Sequence, residues 1–173
     1  LLYLLKENGL RTVEDGGTVK VTATDNADVL NMMDQGNIDA AIVPEPWGSI
    51  LEANGAEIVL NYNQLFLDGN YPSAVVVVRN DFMKEHPEAV EEFLKVHEET
   101  THYINHNKEE AAKIINAEIN EATGKSLDVS ILNNAFTKIT FTTEVSEGAL
   151  HTFADISKEQ GFIKELPSKE LVK

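Results

Sequence analysis

Apolar and polar positions along the chain follow two different periods, and the change from one to the other divides the sequence. The opening Leu1-Leu2-Tyr3-Leu4-Leu5 reads as the middle of a helix that runs to Asn8, with Gly9 as the residue beyond its end. A polar turn follows at Asp15-Gly16-Gly17. Val19, Val21 and Ala23 then alternate with Lys20 and Thr22, which predicts a strand over residues 18–24. Asp25 or Asn26 suits the cap of a helix that reaches Gln35 and stops at Gly36, its inner face being Val29, Leu30 and Met33. Residues 38–43 form a mostly apolar run of strand length, of the kind buried on both faces in parallel sheets. Pro44 and Pro46 end it. A short helix over residues 47–54, closed by Gly55, and a strand over residues 57–60 complete a strand–helix–strand–helix–strand series. Short links in such a series predict right-handed crossovers and three parallel strands, near residues 19–23, 39–43 and 57–60, in one sheet.

Residues 61–72 are irregular in pattern and read as a connection between lobes. A strand is expected over residues 73–79, where Ala74, Val75, Val76, Val77 and Val78 are consecutive. After it the period is helical throughout. Pro87 sits at the first turn of a helix to His106, with Val90, Phe93, Leu94, His97, Thr101 and Ile104 as its stripe. Asn107 caps a second helix, with Ala111, Ile114, Ile115 and Ile119 inward and Gly124 at its end. Asp128 starts a third that covers Leu132, Ala135 and Phe136. Ser146 caps a fourth ending at Gly161, and Leu166-Pro167 closes the ordered part. The organisation expected is therefore residues 1–60 as an α/β segment, 61–72 as the connection, and 73–173 as a return strand with helices.

The chain has 173 residues, 42% hydrophobic and 25% charged, which is globular composition with enough mass for a core. Its formal charge of -15 opposes nucleic acid and anionic headgroups, so no nucleic-acid partner is expected. There are no cysteines, which excludes disulfides, thiolate catalysis and cysteine-based zinc sites. The leucine-rich opening lacks the basic flank and small-residue cleavage site of a signal peptide, and it suggests that the sequence begins part-way through a longer protein.

No catalytic constellation emerges. Gly-x-Ser-x-Gly and the glycine-rich phosphate loops are absent, and the acidic pairs Glu91-Glu92 and Glu109-Glu110 read as solvated helix faces. No cofactor is implied. His102 and His106 have the i, i+4 spacing of a metal pair, but no third ligand accompanies them and no metal site is expected. The informative segment is Pro44-Glu45-Pro46-Trp47. Two prolines stiffen a strand exit, Trp47 offers a flat wall, the helix start offers free N–H groups to an anion, and Glu45 can accept from a ligand amine or amide. A terminated strand with a packed tryptophan accounts for the same residues without any ligand. In a parallel sheet Asp25, Asn26 and Glu45–Trp47 would face one cleft at the strand ends.

The segment Gly36-Asn37-Ile38-Asp39-Ala40-Ala41-Ile42-Val43-Pro44-Glu45-Pro46-Trp47 resembles the solute-binding proteins for nitrate, sulfonate, taurine and thiamine precursors, the NMT1-like or SsuA/TauA-like family. Lys6-Glu7-Asn8-Gly9-Leu10, and Asn80-Asp81-Phe82 with His86-Pro87-Glu88, resemble further parts of it. The resemblance implies a type II periplasmic-binding fold: a parallel-sheet lobe plus a helical return segment, with an opening lobe ahead of the point where this sequence begins. It implies a component of an ABC importer, outside the cytoplasm and lipid-anchored, that captures a small polar or anionic solute and docks on a membrane permease. Glu45, Pro46 and Trp47 would bind the solute, with Asn26 and Asp25 beside them. Without the opening lobe, the strand at 73–79 has bare edges and invites self-association. An effector-sensing domain of a transcription regulator shares the fold, and so do thiamine-pyrimidine synthases, which carry a cysteine-rich motif that this chain lacks.

Overall fold

The computed structural model describes residues 1–167 and Val172. Its regular elements are helices: α1 (Leu2–Glu7), α2 (Val29–Asp34), α3 (Trp47–Ala53), α4 (Tyr62–Leu65), a 3₁₀ turn (Leu67–Gly69), α5 (Asn80–Glu85), α6 (Pro87–His106), α7 (Lys108–Thr123), α8 (Val129–Lys138) and α9 (Glu147–Glu159).

The expected parallel sheet is not there. Among the described residues the one β-type pairing is an isolated parallel bridge between Thr12 and Val19. Residues 39–43, 57–60 and 73–79 carry no helix and no ladder. Their apolar side chains face solvent: Val59 is 82% exposed, Val76 63% and Val77 85%. The α/β fold with a parallel-sheet lobe is therefore overturned, and with it the three-strand sheet and the return strand. The physical reason is that β-branched side chains favour extended backbone whether or not a partner lies alongside. Apolar alternation records fitness for burial between strands. It does not provide the second extended segment, about 4.8 Å away, that a ladder requires.

The helical half follows its sequence signals closely. Asp128 caps α8, its carboxylate accepting from the Ser130 amide at 2.7 Å. The Ser146 hydroxyl accepts from the Ala149 amide at 3.2 Å at the start of α9. Pro87 opens α6. Gly124 ends α7 at φ 73°, a left-handed conformation where a side chain would be strained. Residues 61–72, expected to be irregular, contain α4 and the 3₁₀ turn, and α5 was likewise not foreseen.

The described chain divides into two compact units. Unit 1 comprises Leu1–Trp47, Glu57–Pro72 and Ser146–Lys173. It holds the Thr12–Val19 bridge, closed by Val13 N–H to Val19 O at 3.0 Å and Val19 N–H to Arg11 O at 3.1 Å. Gly17 is required there, because a Cβ at that position would lie 2.2 Å from the Arg11 carbonyl oxygen. Unit 1 also holds an aromatic group. Phe66 stacks on Phe153 at 4.8 Å between centroids, and Tyr3 and Tyr71 meet Phe66 edge-on at 6.2 and 5.8 Å. Lys6 pairs with Glu159 on its surface.

Unit 2 comprises Gly48–Ala56 and Ser73–Val145. Its core lies between α7 and α8, where Ala111, Ala112, Leu132 and Phe136 are buried and Tyr103, Ile104, Ile115, Ile119, Leu127 and Phe141 pack around them. Asn116 fastens the turn between the two helices by accepting from Leu127 N and donating to Leu127 O, both at 2.8 Å. Ile114, expected inward, is 49% exposed, as are Phe93 (49%) and Leu94 (56%) on α6.

Candidate functional site

The segment singled out in the sequence, Pro44–Trp47, forms a tight turn. The Trp47 amide donates to the Pro44 carbonyl at 3.0 Å, and the Glu45–Pro46 peptide bond is cis. That hydrogen bond takes the first amide of α3, one of the groups expected to await an anion. The helix itself is only seven residues long. Glu45, Pro46 and Trp47 are each half-buried.

A second element brings polar chemistry to this turn. Gln64 folds back so that its Oε1 accepts from the Asn61 amide at 2.9 Å, while the Gln64 amide donates to the Asn61 carbonyl at 2.9 Å. This fixes the short α4 and the direction of Tyr62. The Tyr62 hydroxyl lies 3.5 Å from the Val43 carbonyl oxygen and 3.5 Å from Glu45 Oε1. Both distances are long for a hydroxyl contact, and one proton stands before two acceptors. Burial, and then the Glu45 charge, push the Tyr62 phenol up to about 12, so it stays neutral at physiological pH. Burial also raises Tyr71. Leu67 and Asp68 adopt positive φ (45° and 51°), turning the chain between Phe66 and Tyr71 so that their rings meet. Turn, phenol and aromatic group all belong to unit 1.

Asp25 and Asn26 are exposed, and neither joins the Glu45 group by a hydrogen bond or ion pair. The argument that placed them beside Glu45 required the sheet, and it falls with the sheet. Tyr62 and Tyr71 were missed. The Asn61-x-x-Gln64 signature of a helix start was the available signal for the former.

Unit 2 has its own polar group. Glu52 on α3 accepts from Lys138 Nζ at 2.8 Å and from Asn134 Nδ2 at 2.6 Å, and Lys138 also reaches Ser49 Oγ at 3.2 Å. These hydrogen bonds, Lys138 first, hold Glu52 below its ordinary range. A hollow of about 220 Å³ lies beside them, lined by Ser49, Glu52, Ser130 and Asn134 among others. The polar atoms are occupied with one another, so the group knits α3 to α8.

His102 and His106 stack at 4.0 Å, and His106 Nδ1 lies 2.8 Å from the His102 carbonyl. No group of three or more metal-ligating side chains occurs among the described residues. No helix among them is long and apolar enough to cross a membrane.

A sequence model of the NMT1-like family matches residues 1–119. The chain belongs to the NMT1-like family. No curated protein and no solved structure matches it. Membership carries a solute-binding role at the level of the family, with a small molecule as the ligand. In this NMT1-like chain the matched stretch contains the Pro44–Trp47 turn, Tyr62 and Tyr71, whereas α8, α9 and Phe153 lie beyond it.

Proposed function

We propose that this NMT1-like protein is the solute-binding component of an ABC importer, working outside the cytoplasm and presenting a small polar solute to a membrane permease. It performs no chemistry on that solute. The Glu45 carboxylate and the Val43 carbonyl receive the solute's polar group, the Tyr62 hydroxyl orients it, and Trp47 supplies an apolar wall. The observation that carries this reading is that a half-buried cluster of polar groups, with a hydroxyl shared between two acceptors, falls inside the family-matched stretch, at the segment the resemblance marks.

The test uses the single tryptophan of the chain as the reporter. Small polar solutes are titrated while Trp47 fluorescence is followed, in the parent and in Glu45→Ala. Loss of a ligand hydrogen bond to a charged acceptor weakens binding by roughly 1–3 kcal/mol, with the melting temperature barely changed. Unchanged affinity together with a lowered melting temperature assigns Glu45 to the fold alone and removes it from the site. Cell fractionation, and loss of solute uptake on deletion of the gene, test the location and the permease partnership.

A further inference from the structure

We propose that the non-helical segment 73–79 is a pairing edge for a second copy of this chain, the two segments joining antiparallel about a twofold axis at Val76. The inference does not depend on the solute-binding reading.

Backbone and side chains point the same way. Among the described residues, no N–H or C=O group of residues 73–78 has a hydrogen-bond partner within the chain. Val75 and Val77 are 43% and 85% exposed, and Val76 and Val78 are 63% and 44% exposed, so neither face of a strand formed here is covered. Four consecutive β-branched residues, without charge or proline, favour extended backbone and strand pairing. What they lack is the second segment of a ladder, and another copy brings one. The ends of the edge set its register. Pro72 has no N–H, and the Arg79 carbonyl already accepts from the Met83 amide at 3.0 Å. Antiparallel pairing centred on Val76 uses both backbone groups of Ala74, Val76 and Val78, and it places residues 73 and 79 in a pair that needs no hydrogen bond. The same edge thus supplies both sides of a twofold interface. Charge sets the direction. Arg79 is the one charged residue between Asp68 and Asp81, so two copies meet here without facing carboxylates, although the chain carries a formal charge of -15. Parallel pairing in register would set Arg79 against Arg79, whereas antiparallel pairing sets it against Ser73.

Sedimentation velocity on the whole chain, across about a hundredfold range of concentration, is expected to show monomer giving way to dimer. An infrared amide band of paired strands should grow in step. The dimer should tighten as added salt screens the negative charge of the two copies. Val76→Lys, which sets like charges face to face at the axis, should weaken it roughly tenfold or more. Val59→Lys, the same change at an 82%-exposed valine outside the segment, should leave it unaltered. Because the chain has no cysteine, single replacements read the register. Under mild oxidation, Val76→Cys copies should crosslink, since residues paired across the axis stand about 5.5 Å apart. Val78→Cys copies should stay reduced, since their distance across the axis exceeds the ~7 Å limit for a disulfide. Far-UV circular dichroism confirms that the variants fold. A chain that stays monomeric throughout overturns the inference. So does a dimer that loosens with salt, survives Val76→Lys, weakens as much with Val59→Lys, or crosslinks as readily through Val78→Cys.

Discussion

Leu132 is the position where the energetics of unit 2 can be tested most directly. Its side chain is 2% exposed and sits against Ala111, Ala112 and Phe136 where α8 meets α7. Leu132→Ala removes three carbons, about 2.4 kcal/mol of transfer free energy at roughly 0.8 kcal/mol each. A cavity contribution adds to this. Ala111 and Ala112 have no rotamers with which to fill the void, so little collapse is available, and the total should reach about 3–4 kcal/mol. The comparison is Val129→Ala one turn earlier on α8. Val129 is 46% exposed, and the change should stay within about 0.5 kcal/mol. Urea unfolding followed by far-UV circular dichroism gives both values, and an unchanged m-value keeps the comparison clean. A cost below about 1 kcal/mol for Leu132→Ala, or one equal to that of Val129→Ala, would refute the assignment of the unit 2 core to the α7–α8 contact.

Hydrogen bonds from Ser130 hold Asp128 below its ordinary value of 3.8, so its contribution is present above that pH and fades as pH falls through the lower folded value. Asp128→Ala should lower the melting temperature at pH 7 and remove that acid-side dependence, as differential scanning calorimetry across pH 2–5 would show. Tyr62, raised to about 12, should be the last of the four tyrosines to ionise in an absorbance titration, and Tyr62→Phe should delete that late step. Because the folded value is the raised one, the stability it contributes is complete below pH 10 and is lost as pH climbs toward 12. Gly124→Ala should cost about 1–2 kcal/mol from backbone strain at positive φ, since no atom lies within 4 Å of the added methyl to cause a clash; a neutral result by urea unfolding would contradict the left-handed cap.

Signals carried by one residue or one turn were legible in the sequence. Asp128, Ser146 and Pro87 start helices because their side chains or ring suit helix N-termini, and Gly36, Gly55, Gly124 and Gly161 follow helices at positive φ. The α8 face Leu132, Ala135, Phe136 was read in full. Periodicity fixes an arc, whereas the partner's position fixes which edge of the arc is covered. Thus on α7 it is Ala112, small enough for close approach to α8, that is buried, and Ile114 is left out. The strands were misread because pairing depends on another segment, which no local pattern reports. In the candidate site, the Pro44–Trp47 turn stood out from its own residues. Tyr62 did not, because its place beside Glu45 is set by a contact 17 positions away in the chain.

The division into units also bears on the order in which this chain can acquire structure. Most of unit 2 is one continuous stretch, Ser73–Val145, whose core joins helices α7 and α8 that are adjacent in the chain, with α3 added from residues 48–56. Unit 1 is assembled from three separated pieces. Its Lys6–Glu159 ion pair joins residues 153 positions apart, and its aromatic stack waits for Phe153 on α9. Contacts of that span close slowly. During synthesis from the N-terminus, the Glu45–Tyr62 turn therefore leaves the ribosome early but gains its aromatic backing only when α9 follows. The helices of unit 2 can consolidate first, and unit 1, though its first piece precedes them in the chain, is the later of the two to be completed.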